Sequence, residues 1–188
     1  MFTNKKFIPI SFSIIFALLF FETEVFSQTV YTSDDGLITY TVPSGFKLTD
    51  LPEEYHSVLD PDYKMAYKES NSGVNPSILI NVDIVSSEAL RDASFIYHQR
   101  DLLSEIYSNV SIENVINFAS DNHPDILNAL FLVDTNGVRF YNSIYYFFYN
   151  LNQNETIMWT MTGTYSYQER NTYSIMFKNS AKSFVFNQ

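Results

Sequence analysis

Nucleophilic catalysis needs a Ser, Thr or Cys whose proton an adjacent base can accept. The 188-residue sequence has no Cys and no G-x-S-x-G elbow, and its three histidines stand in unrelated contexts. His98 lies beside Gln99 and Arg100 in a helical stretch, the setting of a solvated side chain, while His56 and His123 fall in loops. A Ser/His/Asp site would have to be assembled in space from distant segments. Metal chemistry finds little material either. Asp134-Thr135-Asn136-Gly137 opens like a calcium loop but lacks the later ligands and the closing Glu that make that motif specific, so it reads as a hairpin turn. Asp34-Asp35 and Asp60-Pro61-Asp62 are acidic loop pairs of the kind that solvated surface carries, and no His pair has ligand spacing on a helix or strand. Glu53-Glu54 sits in a polar loop with no reason for a perturbed pKa. No catalytic, cofactor-binding or metal residue is assigned, no cofactor is expected, and the chain is not expected to be an enzyme.

Binding chemistry is better represented. Along the strand-like run from Val138 to Tyr149, the residues Arg139, Tyr141, Ser143, Tyr145, Phe147 and Tyr149 share one face by their spacing of two. Tyrosine offers an apolar ring with a polar tip, and both Tyr and Arg are enriched at protein interfaces. Arg139, Tyr141, Tyr145, Phe147 and Tyr149 are therefore the candidate binding face. A strand apolar on both sides usually belongs to a sheet covered on both sides, so the competing reading places this face under a helix as a second core layer.

The elements that would hold this strand follow from pattern. Val138–Tyr149 and Thr156–Thr164 form a hairpin across Leu151-Asn152-Gln153-Asn154-Glu155, with Ile157, Trp159 and Met161 on one face of the second strand and threonines on the other. Before it, Ile126 to Val133 is a strand joined through Asn136-Gly137, a pair suited to the positive φ angles of a tight hairpin turn. Leu37–Val42 is a strand stopped by Pro43-Ser44-Gly45, with Phe46 anchoring the bend; Met65–Lys68 is a short strand. Ser77–Val85 alternates so that Ile78, Ile80, Val82 and Ile84 share a face. A helix is expected from Glu88 to about Tyr107, with Phe95, Ile96, Leu102, Leu103 and Ile106 as its apolar stripe. A bulged strand follows over Asn109–Phe118, and Ser166-Tyr167-Gln168-Glu169 matches a capping box that should start a second helix carrying Tyr173, Met176, Phe177 and Ala181 inward. Ser183 to Phe186 ends the chain extended.

Length and composition bound the rest. The 17 Phe and 14 Tyr exclude a disordered chain and supply a core of single-domain size. Lys5 and Lys6, an apolar run from Phe7 to Phe21 and Val25-Phe26-Ser27 form a signal peptide over residues 1–27, leaving one α+β domain over 28–188. Removing Lys5, Lys6, Glu22 and Glu24 takes away two charges of each sign, so the net charge stays at −10. That balance opposes nucleic acid and anionic membrane surfaces as partners. Without Cys, neither a disulfide nor a lipid anchor on Cys is possible. Two glycosylation sequons, at Asn109 and Asn154, matter only in a eukaryotic secretory pathway.

The segment Leu37-Ile38-Thr39-Tyr40-Thr41-Val42-Pro43-Ser44-Gly45-Phe46 resembles the opening strand, Pro-x-Gly turn and aromatic residue of the PsbP-like fold. The order of elements, down to a closing helix followed by Ser183-Phe184-Val185-Phe186, resembles it too. That fold is shared by an extrinsic photosystem II protein, a Ran-binding import factor and bacterial envelope families. Many members have Trp where this chain has Phe46, and no metal-binding or partner-binding residue of the family has a counterpart here. The resemblance implies an α+β fold, an antiparallel sheet flanked by two main helices as an α/β/α sandwich, and a non-catalytic role. The expected function is an exported binding or assembly-accessory protein, in the periplasm or outside the cell, acting on another envelope or secreted protein without stable membrane insertion. Two alternatives remain: a carrier of a small apolar ligand or lipid, and a hydrolase with a loop-assembled site.

Overall fold

The computed structural model describes residues 28–53, 56, 63–88 and 94–187. The expected signal peptide, Glu54, Asp60-Pro61-Asp62 and the beginning of the first helix lie outside them. The described strands are β1 (Thr29–Thr32), β2 (Ile38–Val42), β3 (Lys47–Thr49), β4 (Met65–Tyr67), β5 (Ser77–Ser86), β6 (Val110–Phe118), β7 (Ile126–Thr135), β8 (Val138–Asn150), β9 (Glu155–Ser166) and β10 (Val185–Phe186). Helix α1 spans Ser94–Ile106 and α2 spans Arg170–Ser183.

Seven strands form one antiparallel sheet in the order β3-β4-β5-β9-β8-β7-β6, with the long β8–β9 hairpin at its middle. The turn into β8 is tight because Asn136 and Gly137 take φ values of 52° and 77°, the left-handed conformation that a two-residue hairpin loop needs. On β6 the register slips between Ile112 and Asn114, at the expected bulge. A second, three-stranded antiparallel sheet, β1-β2-β10, was not foreseen from the sequence as a separate unit. It forms because the two-residue β10 returns from the end of α2 to pair with β2, a contact between residues far apart in the chain.

The central sheet is buried on both faces. On one, Tyr141, Tyr145 and Phe147 of β8 join Ile78, Ile80, Trp159, Met161 and Tyr165. Tyr173, Phe177 and Ala181 of α2 and Ile38, Tyr40 and Val42 of β2 close over them. On the other face Ile96 of α1 packs with Ala129, Phe131, Ile144, Tyr146 and Met158. The layers are thus α1, the seven-stranded sheet, then α2 beside the small sheet: an α+β architecture.

Three local expectations are corrected. Leu102 and Ile106 are 42% and 73% exposed, so the inward stripe of α1 narrows to Phe95, Ile96 and Leu103. Ile84 is 66% exposed, although Ile78 and Ile80 on the same strand are fully buried. The capping box does not close: Ser166 accepts from Gln168 N–H, a 3-10 turn covers Tyr167–Glu169, and Glu169 instead accepts a 2.9 Å hydrogen bond from Ser72. Phe46 meets its expectation, packing edge-on to Tyr173 and Phe177 at 6.0 and 5.7 Å between centroids.

Candidate functional site

Of the five residues expected to form a binding face, three are core. Tyr141, Tyr145 and Phe147 are 1%, 2% and 0% exposed, because α2 and the small sheet cover this side of β8. This is the helix-covered reading, with a physical reason: β8 is apolar on both sides, and each side found a layer. Burial drives the Tyr145 hydroxyl up to about 12, against a hydrogen bond to Ser143, so it is a neutral core group. Tyr149 is half-buried, and Arg139 is exposed.

Arg139 instead marks the exposed end of a short series of stacked groups. Its guanidinium lies 4.3 Å from the Tyr167 ring centroid, and Tyr167 stacks on Tyr141 at 5.5 Å and 20° between planes. Arg170, the first residue of α2, places its guanidinium 5.0 Å over the Tyr141 ring and donates a 3.2 Å hydrogen bond to the Tyr141 hydroxyl. Burial raises Tyr141, and the Arg170 charge opposes the rise. Tyr167 is 42% exposed, and both arginines are on the surface. Among the described residues neither arginine pairs with a carboxylate; Glu113 acts on Tyr141 through its charge, and Asp134 stands across the hairpin from Arg139. Sequence reasoning missed Tyr167 and Arg170, assigning them to a helix start. The signal was present: extending the hairpin register one residue past Phe140–Ser166 sets Arg139 opposite Tyr167.

The histidines divide, and His123 departs from its loop context. His98 and His56 are exposed, the latter within 2.9 Å of the Leu51 carbonyl. His123 is buried, at 7% exposure. Its Nε2 lies 2.8 Å from the Phe184 carbonyl, which requires Nε2–H as donor, so the Tyr149 O–H, 3.1 Å away, donates to Nδ1. The ring is walled by Phe147, Tyr149 and Phe184. A hydrolytic base needs a carboxylate behind it and a nucleophile in front; His123 holds a carbonyl and a phenol in those places, and it ties the end of α2 to the sheet. Asp35, of the acidic pair Asp34-Asp35, is likewise occupied: it accepts from Ser33, from Leu37 N–H at 2.9 Å and from the Tyr63 hydroxyl at 3.2 Å. Burial raises its carboxyl, but these hydrogen bonds outweigh that and hold it below its ordinary value. Among the described residues no three His, Asp or Glu side chains gather as metal ligands.

A surface cleft of about 500 Å³ lies between the Pro43-Ser44-Gly45 turn and α2. The turn closes through a 3.1 Å hydrogen bond from Phe46 N–H to the Pro43 carbonyl, with Gly45 at φ 80°.

No protein-family model matches the sequence, and no curated protein matches it. Solved structures do. CyanoP, the PsbP of Synechocystis, matches with a TM-score of 0.61 at 12% identity, over 88% of this chain and 96% of its own. LpqN of Mycobacterium tuberculosis, involved in cell envelope biogenesis, matches at 0.59 and 8% identity, over 86% and 91%. The Ran-binding protein Mog1p of Saccharomyces cerevisiae matches at 0.51 and 14%, over 86% and 96%. At these identities the likeness is one of fold, and the chain has the PsbP-like fold.

Proposed function

We propose that this is an exported, non-catalytic binding or assembly-accessory protein that acts on another envelope or secreted protein through the surface around Arg139, Tyr167 and Arg170. The observation that carries the reading is the series Arg139–Tyr167–Tyr141–Arg170, in which the buried Tyr141 ring and the Tyr167 ring stacked on it hold at the surface two guanidiniums that pair with no carboxylate among the described residues. Arginine and tyrosine held rigidly lose little entropy on binding, which is why they dominate interface energetics. The fold it shares with a Ran-binding protein and with a protein of cell envelope biogenesis supports a role in binding or assembly. Export rests on the amino-terminal sequence pattern, and no helix of the described residues is long and apolar enough to cross a membrane.

The test is a photo-crosslinking side chain at position 167 in the native host, with position 175 as control because Ile175 is 64% exposed on α2. One protein adduct is expected at 167, lost when Arg139→Ala is added, and none at 175. An exposed cation–π contact contributes about 0.5–1 kcal/mol, so Arg139→Ala should leave the fold intact. No adduct, or adducts at both positions indifferent to Arg139→Ala, would overturn the proposal.

A further inference from the structure

The cleft between the Pro43–Gly45 turn and α2 shares no residue with the Arg139–Tyr167 surface. Its size falls in the range of small-molecule sites. Val42, Pro43 and Met176 give it an apolar wall, and Lys68 is the one charged side chain among its described lining residues. The Lys68 chain lies along the turn, with Nζ, Cε and Cδ all within 4 Å of where a β-carbon on Gly45 would stand. It has no ion-pair partner among the described residues: the neighbouring Glu69 is engaged by Lys47 at 3.7 Å. In a chain of net charge −10, this is a positive point facing an apolar wall.

The hydroxyls add a second observation. Ser183 is spent, accepting from Thr41 N–H at 2.8 Å and donating to the Ser180 carbonyl at 2.7 Å. Ser180 is 3% exposed, lines the cleft, and its own hydroxyl has no hydrogen bond to any described residue. It is not one of the buried polar atoms left without a partner, so it meets the cleft, where an entering polar group can take the place of water. The carbonyls ending α2 at Ser183 repel an anion, but Ser183 is bonded to Thr41, whereas Lys68 lies against Gly45 on the far side of Pro43. The two ends of the cleft are therefore electrostatically distinct.

We propose that this cleft binds a small carboxylate with an apolar body, its carboxylate at the Lys68 ammonium and its body along Val42, Pro43 and Met176 past the Ser180 hydroxyl. The probe is octanoate, with octanamide as its uncharged counterpart, followed by two-dimensional amide NMR of the purified protein. Saturable shifts are expected at residues 42, 44, 45, 68 and 180. Hydrogen bonds to charged groups set the scale, so Lys68→Gln should weaken octanoate binding at least about tenfold, leave octanamide unchanged, and be rescued by Lys68→Arg. A thermal melt of each variant separates loss of binding from loss of fold. Absent shifts, shifts centred elsewhere, equal affinity for octanamide, or an undiminished Lys68→Gln would each overturn the assignment.

Discussion

At the scale of single residues, the buried imidazole of His123 sets a measurable pH dependence. Burial lowers its pKa from the ordinary 6.5, against the opposing pull of the Phe184 carbonyl. The unfolded chain therefore binds a proton more readily than the folded one between the lowered value and 6.5. Stability from this group is fully present above 6.5 and is lost as pH falls below it. The thermal midpoint should decline from about pH 7 to about pH 5 and do so less in His123→Gln, whose amide cannot take up the proton. An equal decline in both proteins would remove His123 as the cause. The burial was not legible in the sequence. Asp121-Asn122-His123-Pro124 reads as a polar surface break, and the ring is enclosed only because Phe147 and Phe184 meet there, 4.3 Å apart and stacked. Tyr167 shows the converse: its neighbour Arg139 follows from hairpin arithmetic alone, once the strand is allowed to run on into Ser166.

Among the elements, the seating of α2 on the sheet decides the fate of the tyrosine face. It depends on Gly163 of β9, paired with Ser143 of β8, whose missing side chain leaves a hollow for the Phe177 ring. A β-carbon at Gly163 would overlap that ring. In a strand, Ala would ordinarily be favoured over Gly by about 0.5–1 kcal/mol, whereas overpacking a core costs about 1–3 kcal/mol, so the clash determines the sign. Gly163→Ala should destabilise the protein in urea unfolding, and the penalty should shrink in a Phe177→Leu background. A stabilising Gly163→Ala would mean that α2 can shift without cost. The amphipathic pattern of α2 was readable, since Tyr173, Phe177 and Ala181 recur on one face and all are buried. What it would cover was not, because periodicity names an inward face but no partner.

For the molecule as a whole, export remains the part of the proposal that rests on sequence alone. Protein recovered outside the cytoplasm of its host should begin at Gln28 by intact mass, and a retained amino-terminal segment would refute cleavage at Ser27. The strands β2 and β4 to β9, the β6 bulge, the Asn136-Gly137 turn and the two helices were determined by sequence, because each depends on periodicity of two or about 3.6, or on φ preferences of neighbouring residues. Tertiary structure alone decided that β10 closes a second sheet with β2, that Tyr141, Tyr145 and Phe147 are core, and that Arg170 joins Arg139 on one aromatic series. It also decided that Lys68 and Ser180 border one cleft. Each of these is a contact between distant segments, and side-chain pattern specifies which face seeks cover without specifying which element, arriving from the other end of the chain, supplies it.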